Sequence, residues 1–150
     1  MEFGVVLGVI GSVISFGLAG TGCGIAMYMV GQAAAGVVKE DPRKFGQTLV
    51  LQAVASTCGI YGLLMGFLIL NKAMAVTDTA TGLFLLVAGC PMGFVGLFAS
   101  IAQAKVLVSG VILVAKRSGE IAKALIFAAM VETMQIFALL FSFLIYNNVA

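Results

Sequence analysis

The sequence predicts an all-α membrane protein of four transmembrane helices, arranged as two tandem hairpins of the same orientation. Three observations carry that prediction. Of the 150 residues, 62% are hydrophobic and 9% charged, where a soluble domain carries about 25% charged residues; the mean hydropathy is +1.19. Short polar segments at 39–44, 72–81 and 116–120 divide the chain into four apolar runs, each long enough to cross about 30 Å of hydrocarbon. Finally, the halves repeat: Tyr61-Gly62-Leu63-Leu64-Met65-Gly66-Phe67-Leu68-Ile69-Leu70-Asn71 aligns with Phe137-Ala138-Leu139-Leu140-Phe141-Ser142-Phe143-Leu144-Ile145-Tyr146-Asn147 at an offset of 76, and Gly36 aligns with Gly110 at 74. A repeated unit of two spans keeps both copies pointing the same way, unlike the inverted repeats of many secondary transporters.

The first run, 3–38, follows Met1-Glu2, which brings an acid and no Lys or Arg, and it is too long for a signal peptide; it reads as a retained helix. Small residues at Gly4, Gly8, Gly11 and Ser15, then at Gly20, Gly24, Gly31 and Ala35, form one helical stripe in each half. Such stripes let backbones approach, either a neighbouring helix or further copies of the same helix around an axis. Within Lys39 to Lys44, Asp41 suits an N-cap and Pro42 the first position of helix two, 43–71. Lys72 to Thr81 forms the second connection, with Asp78 capping helix three, 79–115. Pro91 removes a backbone hydrogen bond inside that helix, which predicts a kink or a packing contact. Lys116 to Glu120 precedes helix four, 119–147, so hairpin one is 1–74 and hairpin two is 75–150.

Lys39, Arg43 and Lys44 flank the first connection and Lys116, Arg117 and Lys123 the third, whereas Lys72 is alone at the second. Loops 39–44 and 116–120 are therefore expected on the cytoplasmic side of the cell membrane, with both termini extracytoplasmic. A net charge of +2 gives no reason to expect nucleic acid. Cys23, Cys58 and Cys90 sit in apolar runs at unrelated spacings, which suits small buried side chains rather than a disulfide framework or a metal motif. No Gly-x-x-x-x-Gly-Lys-[Ser/Thr] stretch is present, so neither a nucleotide site nor a cofactor is expected.

Glu132 is the residue that demands a function. A helix over 119–147 is roughly 43 Å long and holds Glu132 near the hydrocarbon centre. An ionisable group there costs at least about 2.5 kcal/mol, so it faces protein, water or an ion rather than bare lipid; the bland alternative is an interhelical hydrogen bond. Offset 76 sets Ser56-Thr57 opposite Glu132-Thr133, leaving one intramembrane carboxylate, and one site, per chain. Gln103, Glu132 and Thr57 all fall at a similar depth, roughly 20 Å from the cytoplasmic connections. Val54, Thr57, Cys58 and Tyr61 share a helix face, and local loosening would free the Val54 carbonyl. Oxygen donors of this kind suit a small hard cation. The competing readings are a satisfied interhelical bond for Gln103, a hydroxyl bonded to its own helix for Thr57, and a snorkelling side chain for Lys105.

These residues are embedded in recognisable segments: Gly-Leu-Phe-Ala-Ser-Ile-Ala-Gln at 96–103, Lys-Phe-Gly-Gln at 44–47, Ile-Tyr-Gly at 60–62 and Phe-Ala-Ala-Met-Val-Glu-Thr at 127–133. With the duplicated hairpins, they resemble the proteolipid (K/c subunit) of the bacterial V-type (V/A-type) rotary ATPases. The resemblance implies a rotor ring of identical copies, whose first and third helices line the inside with Gly20, Gly24, Gly89, Gly93 and Gly96 at the packing positions. It implies that Na+ or H+ is carried on Glu132, coupled to ATP hydrolysis or synthesis, with no catalytic residues in this chain. Ion ligands are implied at Glu132, Gln103, Thr57 and the Val54 carbonyl, with Tyr61 bonding the glutamate and Cys58 and Thr133 alongside; for sodium the metal occupies this same site. The implied partners are a stator membrane subunit presenting a basic residue to Glu132, a central-stalk subunit at the cytoplasmic loops, and the lipid bilayer. Cys58 departs from sodium-pumping members, which carry a glutamine there, and its soft sulfur is a poor sodium ligand. Readings from other classes are a small four-helix proton-coupled exporter and a tetraspan packing protein. The lack of Trp and the glycine ladder weigh against an aromatic cation pocket, and a packing role leaves Glu132 unexplained.

Overall fold

In the computed structural model, which describes residues 3–148, the long apolar runs form helices; Met1-Glu2, which argue for a retained first helix, lie outside these residues. Helix α1 covers Phe3–Glu40, α2 Phe45–Val54, α3 Thr57–Ala73, α4 Thr79–Lys116 and α5 Ile121–Asn147, with single 3-10 turns at Pro42–Lys44 and Ser118–Glu120. They make four stretches long and apolar enough to cross a membrane, Phe3–Glu40, Pro42–Ala73, Thr79–Lys116 and Ser118–Asn147. The chain is a multi-pass membrane protein.

The polar connections end the helices through their own side chains. Asp41 accepts a hydrogen bond from the Arg43 amide at 3.1 Å, and Pro42 takes the first position of the turn that follows. The Arg43 guanidinium also donates to Asp41 at 3.0 Å, and this hydrogen bond holds the Asp41 carboxyl below its ordinary range. At the opposite end, Asp78 accepts from the Thr81 amide at 3.1 Å, and the hydrogen bonds from Thr81 hold its carboxyl low as well. Lys44 is 9% exposed; its ammonium donates to the Val114 carbonyl at 2.9 Å and to the Ser118 hydroxyl, while Gln47 donates to the Ser118 carbonyl at 2.8 Å.

The second run differs from the single helix expected over 43–71. Its ladder breaks at Ala55-Ser56, whose amides bond only three residues back, to Gln52 at 3.1 Å and Ala53 at 3.0 Å. Local chemistry accounts for the break. Ser56 and Thr57 turn their hydroxyls onto the carbonyls of Ala53 and Val54, at 2.7 and 3.0 Å, and so compete with the backbone for those acceptors. By contrast, α4 passes through Pro91 without interruption. Of the two outcomes expected of Pro91, the packing contact is present: the next amide, Met92, donates to the buried Ser142 hydroxyl of α5 at 3.0 Å.

Packing centres on α1 against α4, where glycine removes the side chains that would hold two backbones apart. A Cβ at Gly11 would stand 2.5 Å from the Leu85 carbonyl, one at Gly22 2.7 Å from Leu97, and one at Gly93 2.5 Å from the Ile14 carbonyl. Helix α3 joins the same layer through Ser12, which donates to the Gly66 carbonyl at 2.7 Å, and Ser15, which donates to Gly62 at 3.3 Å. Two apolar cores result, one around Met65, Leu85 and Met92 and the other around Leu51, Leu107 and Val114. Large apolar side chains including Phe16, Phe67, Phe98, Phe127 and Phe141 are exposed, as suits a surface that meets lipid or a neighbouring subunit.

The glycines expected at ring-packing positions separate into two groups. Gly89, Gly93 and Gly96 are buried against α1 of the same chain, so their close contact is internal. Gly20 meets only the Phe16 ring of its own helix, and Gly24 has nothing within 4 Å. The buried line of α1 runs instead through Ala19, Gly22, Cys23, Ala26 and Val30. Gly93→Leu is accordingly expected to destabilise the chain by at least the ~1–3 kcal/mol typical of overpacking, read as a lowered melting midpoint in detergent, whereas Gly24→Leu leaves the chain's own packing unchanged. Equal midpoints for the two variants would show that the α1–α4 contact does not set the fold.

Candidate ion-binding site

Helix α5 carries Glu132 at mid-length, and Tyr61 meets it from α3, one turn after the break that separates α2 from α3. The phenol donates to Glu132 Oε1 at 2.9 Å. Both residues are half-buried, whereas Met130 and Met134, flanking Glu132 on α5, are exposed. The carboxylate therefore lies at the margin of the chain, anchored on one side by protein.

Gln103 approaches from α4 and is 1% exposed. Its amide nitrogen donates to the Ala128 carbonyl of α5 at 3.4 Å, and its Oε1 accepts from Gln135 Nε2 at 3.0 Å. Gln135 is a residue the sequence reading missed. It is fully buried, at 0% exposure, and its own Oε1 has no hydrogen-bond partner among the described residues. A buried acceptor left empty costs about 1–3 kcal/mol. The available signal was its position: it is the one carboxamide in α5 before Asn147, three residues after the carboxylate, where helical spacing puts the two on neighbouring ground.

Thr57 donates to the Val54 carbonyl at 3.0 Å, so two of the expected ligands meet each other. Carbonyls at the break are held from α1, where Cys23 Sγ lies 3.6 Å from the Ala55 oxygen and 3.4 Å from that of Ser56. Cys58 is fully buried and donates to the Gly96 carbonyl at 3.4 Å, an oxygen that also accepts from Ser100 at 2.6 Å. Thr133 is exposed and donates to Met130 of its own helix at 2.7 Å, which leaves it out of the gathering. Lys105 is exposed on α4. The expected site residues thus fall into three hydrogen-bonded groups: Glu132 with Tyr61, Gln103 with Gln135 and Ala128, and Thr57 with Val54. Among the described residues no hydrogen bond joins one group to another, and no cluster of three or more His, Cys, Asp or Glu could hold a metal. Brought to one point, a carboxylate and several neutral oxygens would be the donor chemistry of a small hard cation.

Residues 10–69 and 86–145 each match the family of the ATP synthase C subunit. The chain belongs to that family. The doubled match coincides with the internal repeat, so the chain holds two copies of the family's unit in tandem. It is 39% identical over 145 residues to the V-type sodium ATPase subunit K of Enterococcus hirae, covering 97% of this chain and 93% of that protein. It is also 38% identical over 144 residues to the A-type ATP synthase subunit K of Methanocaldococcus jannaschii, covering 96% of this chain and 63% of that protein. Membership of this family sets aside the exporter and packing-protein readings.

The Tyr61 phenol occupies one oxygen of the Glu132 carboxyl group, so it should shield that group from a carbodiimide. Tyr61→Phe is expected to accelerate labelling of Glu132 about 10-fold or more, the equivalent of one hydrogen bond to a charged group, while Thr133→Val leaves the rate unchanged. A Tyr61→Phe rate equal to wild type would show that the phenol does not hold the carboxylate.

Proposed function

We propose that this chain is the rotor-ring proteolipid of a V-type (V/A-type) rotary ATPase, carrying Na+, or H+ as the alternative, on Glu132 in step with ATP hydrolysis or synthesis. The observation that carries the reading is a single carboxylate at mid-span in a member of the ATP synthase C-subunit family, held by one phenol and otherwise at the protein's edge. Loaded with a cation or proton, the carboxyl is neutralised and can face hydrocarbon at little cost; emptied, its charge is drawn to a basic residue of the stator. Alternation between the two environments couples ion passage to rotation.

The remaining assignments follow from that role. Identical copies form the ring, and Gly20 and Gly24, which no other helix of the chain approaches, are free for a neighbour's helix. The loops 39–44 and 116–120 lie in the cytoplasm and meet the central stalk, with both termini on the other side of the cell membrane, following the excess of Lys and Arg at those loops. Sodium is favoured by the oxygens in reach: the Glu132 carboxylate, Gln103, Thr57 and the Val54 carbonyl exceed what a proton needs, since a lone carboxyl can hold its proton with one acceptor. The name of the Enterococcus hirae relative, a sodium ATPase subunit, supports the same choice.

Glu132→Gln keeps the shape and removes the switchable charge, so membranes carrying it are expected to hold assembled rings and to lose ATP-driven ion transport altogether. Transport at the wild-type rate by that variant would reject the rotor reading. Ion identity is tested separately by carbodiimide labelling of Glu132 at fixed pH. Bound sodium keeps the carboxylate ionised and should slow labelling as its concentration rises, with potassium at equal ionic strength giving no protection; equal labelling in both salts would leave the rotor and replace sodium by protons.

A further inference from the structure

We infer that Gln135 is an additional ion ligand, its Oε1 supplying the oxygen that Cys58 does not offer. The inference rests on the sodium reading and on four features of the chain.

The first is the direction of a carboxamide chain. The Ala128 carbonyl can only accept, so the group that Gln103 turns toward it at 3.4 Å must be its NH2. Gln103 Oε1 then faces Gln135, which must present its own NH2, at 3.0 Å. The orientation of both amides is fixed by one backbone carbonyl, and the chain ends in Gln135 Oε1. The second feature is that this terminal oxygen is buried and unpartnered among the described residues, on a side chain of 0% exposure. Donation by the Gln135 NH2 polarises its own carbonyl, leaving the free oxygen a better ligand than an isolated amide.

The third feature is position. Ala128, Glu132 and Gln135 follow one another at spacings of four and three on α5, a single helical stripe, so the free oxygen belongs to the same face as the carboxylate. The fourth is Cys58, whose sulfur is soft, fully buried and engaged with the Gly96 carbonyl; it is not an oxygen donor to a hard cation. As Gln47 does at its own Oε1, Gln135 as a structural residue alone leaves a buried acceptor without a partner. A sodium ion at the site satisfies it.

The test uses intact rings in native membranes and reads sodium protection of Glu132 against carbodiimide. Gln135→Met keeps length and loses the oxygen; Gln135→Ala removes the oxygen without bulk and serves if the first variant does not assemble. The expected result is a sodium concentration for half-protection raised about 10-fold or more, the usual cost of a lost contact at a metal site, with the pH profile of labelling in sodium-free medium unchanged. That profile separates ligation from mere support, because a collapsed site would move it too. Half-protection at the wild-type concentration would overturn the assignment of Gln135 while the protected wild type upholds the sodium reading. A shift of the sodium-free profile equal to the shift in half-protection would make Gln135 structural and also overturn it. No sodium protection of the wild type would remove both.

Discussion

A charged group in the middle of an apolar span is the constraint that organises this chain. A carboxylate there costs at least about 2.5 kcal/mol when it faces lipid, and the protein meets that cost with one strong donor, the Tyr61 hydroxyl at 2.9 Å from Glu132. The donor comes from α3, which begins where the second span breaks. The break arises from two adjacent hydroxyl residues, Ser56 and Thr57, that take the carbonyls of Ala53 and Val54. Tyr61, the partner of Glu132, follows that break by one helical turn.

Close packing makes the rest of the site possible. Without Cβ atoms at Gly11, Gly22 and Gly93, α1 and α4 meet backbone to backbone, and α4 is held on an axis from which Gln103 reaches α5. The same economy leaves few polar groups to satisfy, since Ser12, Ser15, Ser100 and Ser142 spend their hydroxyls on nearby backbone groups. Two carboxamide oxygens stand apart among the described residues, Gln47 Oε1 in the first turn of α2 and Gln135 Oε1 at mid-span, both buried and without a hydrogen-bond partner.

Much of this was legible in the sequence because the bilayer restricts the options. Run length and polar interruptions suffice to give four spans, because a chain in hydrocarbon must satisfy its backbone internally, and the expense of a buried charge singles out Glu132. The bond between Tyr61 and Glu132 is the one the family resemblance implies, and Asp41 and Asp78 cap as their positions suggest. Rotation about a helix axis was harder to read. Small residues occur on several faces of α1, so spacing could not tell that Gly22 is buried and Gly24 open. Gln135 escaped for a related reason: a glutamine in an apolar run announces a hydrogen bond, but its unfilled acceptor is visible only when every neighbour has been placed.

The buried ammonium of Lys44 joins the polar turn of the first hairpin to the last turn of α4 and to Ser118 in the second, and Gln47 doubles the connection. Two loops that would otherwise yield independently thus share any sideways force applied at either one. Stiffness at that end then comes from a clamp rather than from loop length, and a push on one turn is delivered along all four spans, as on a gear tooth cut from a single piece of metal.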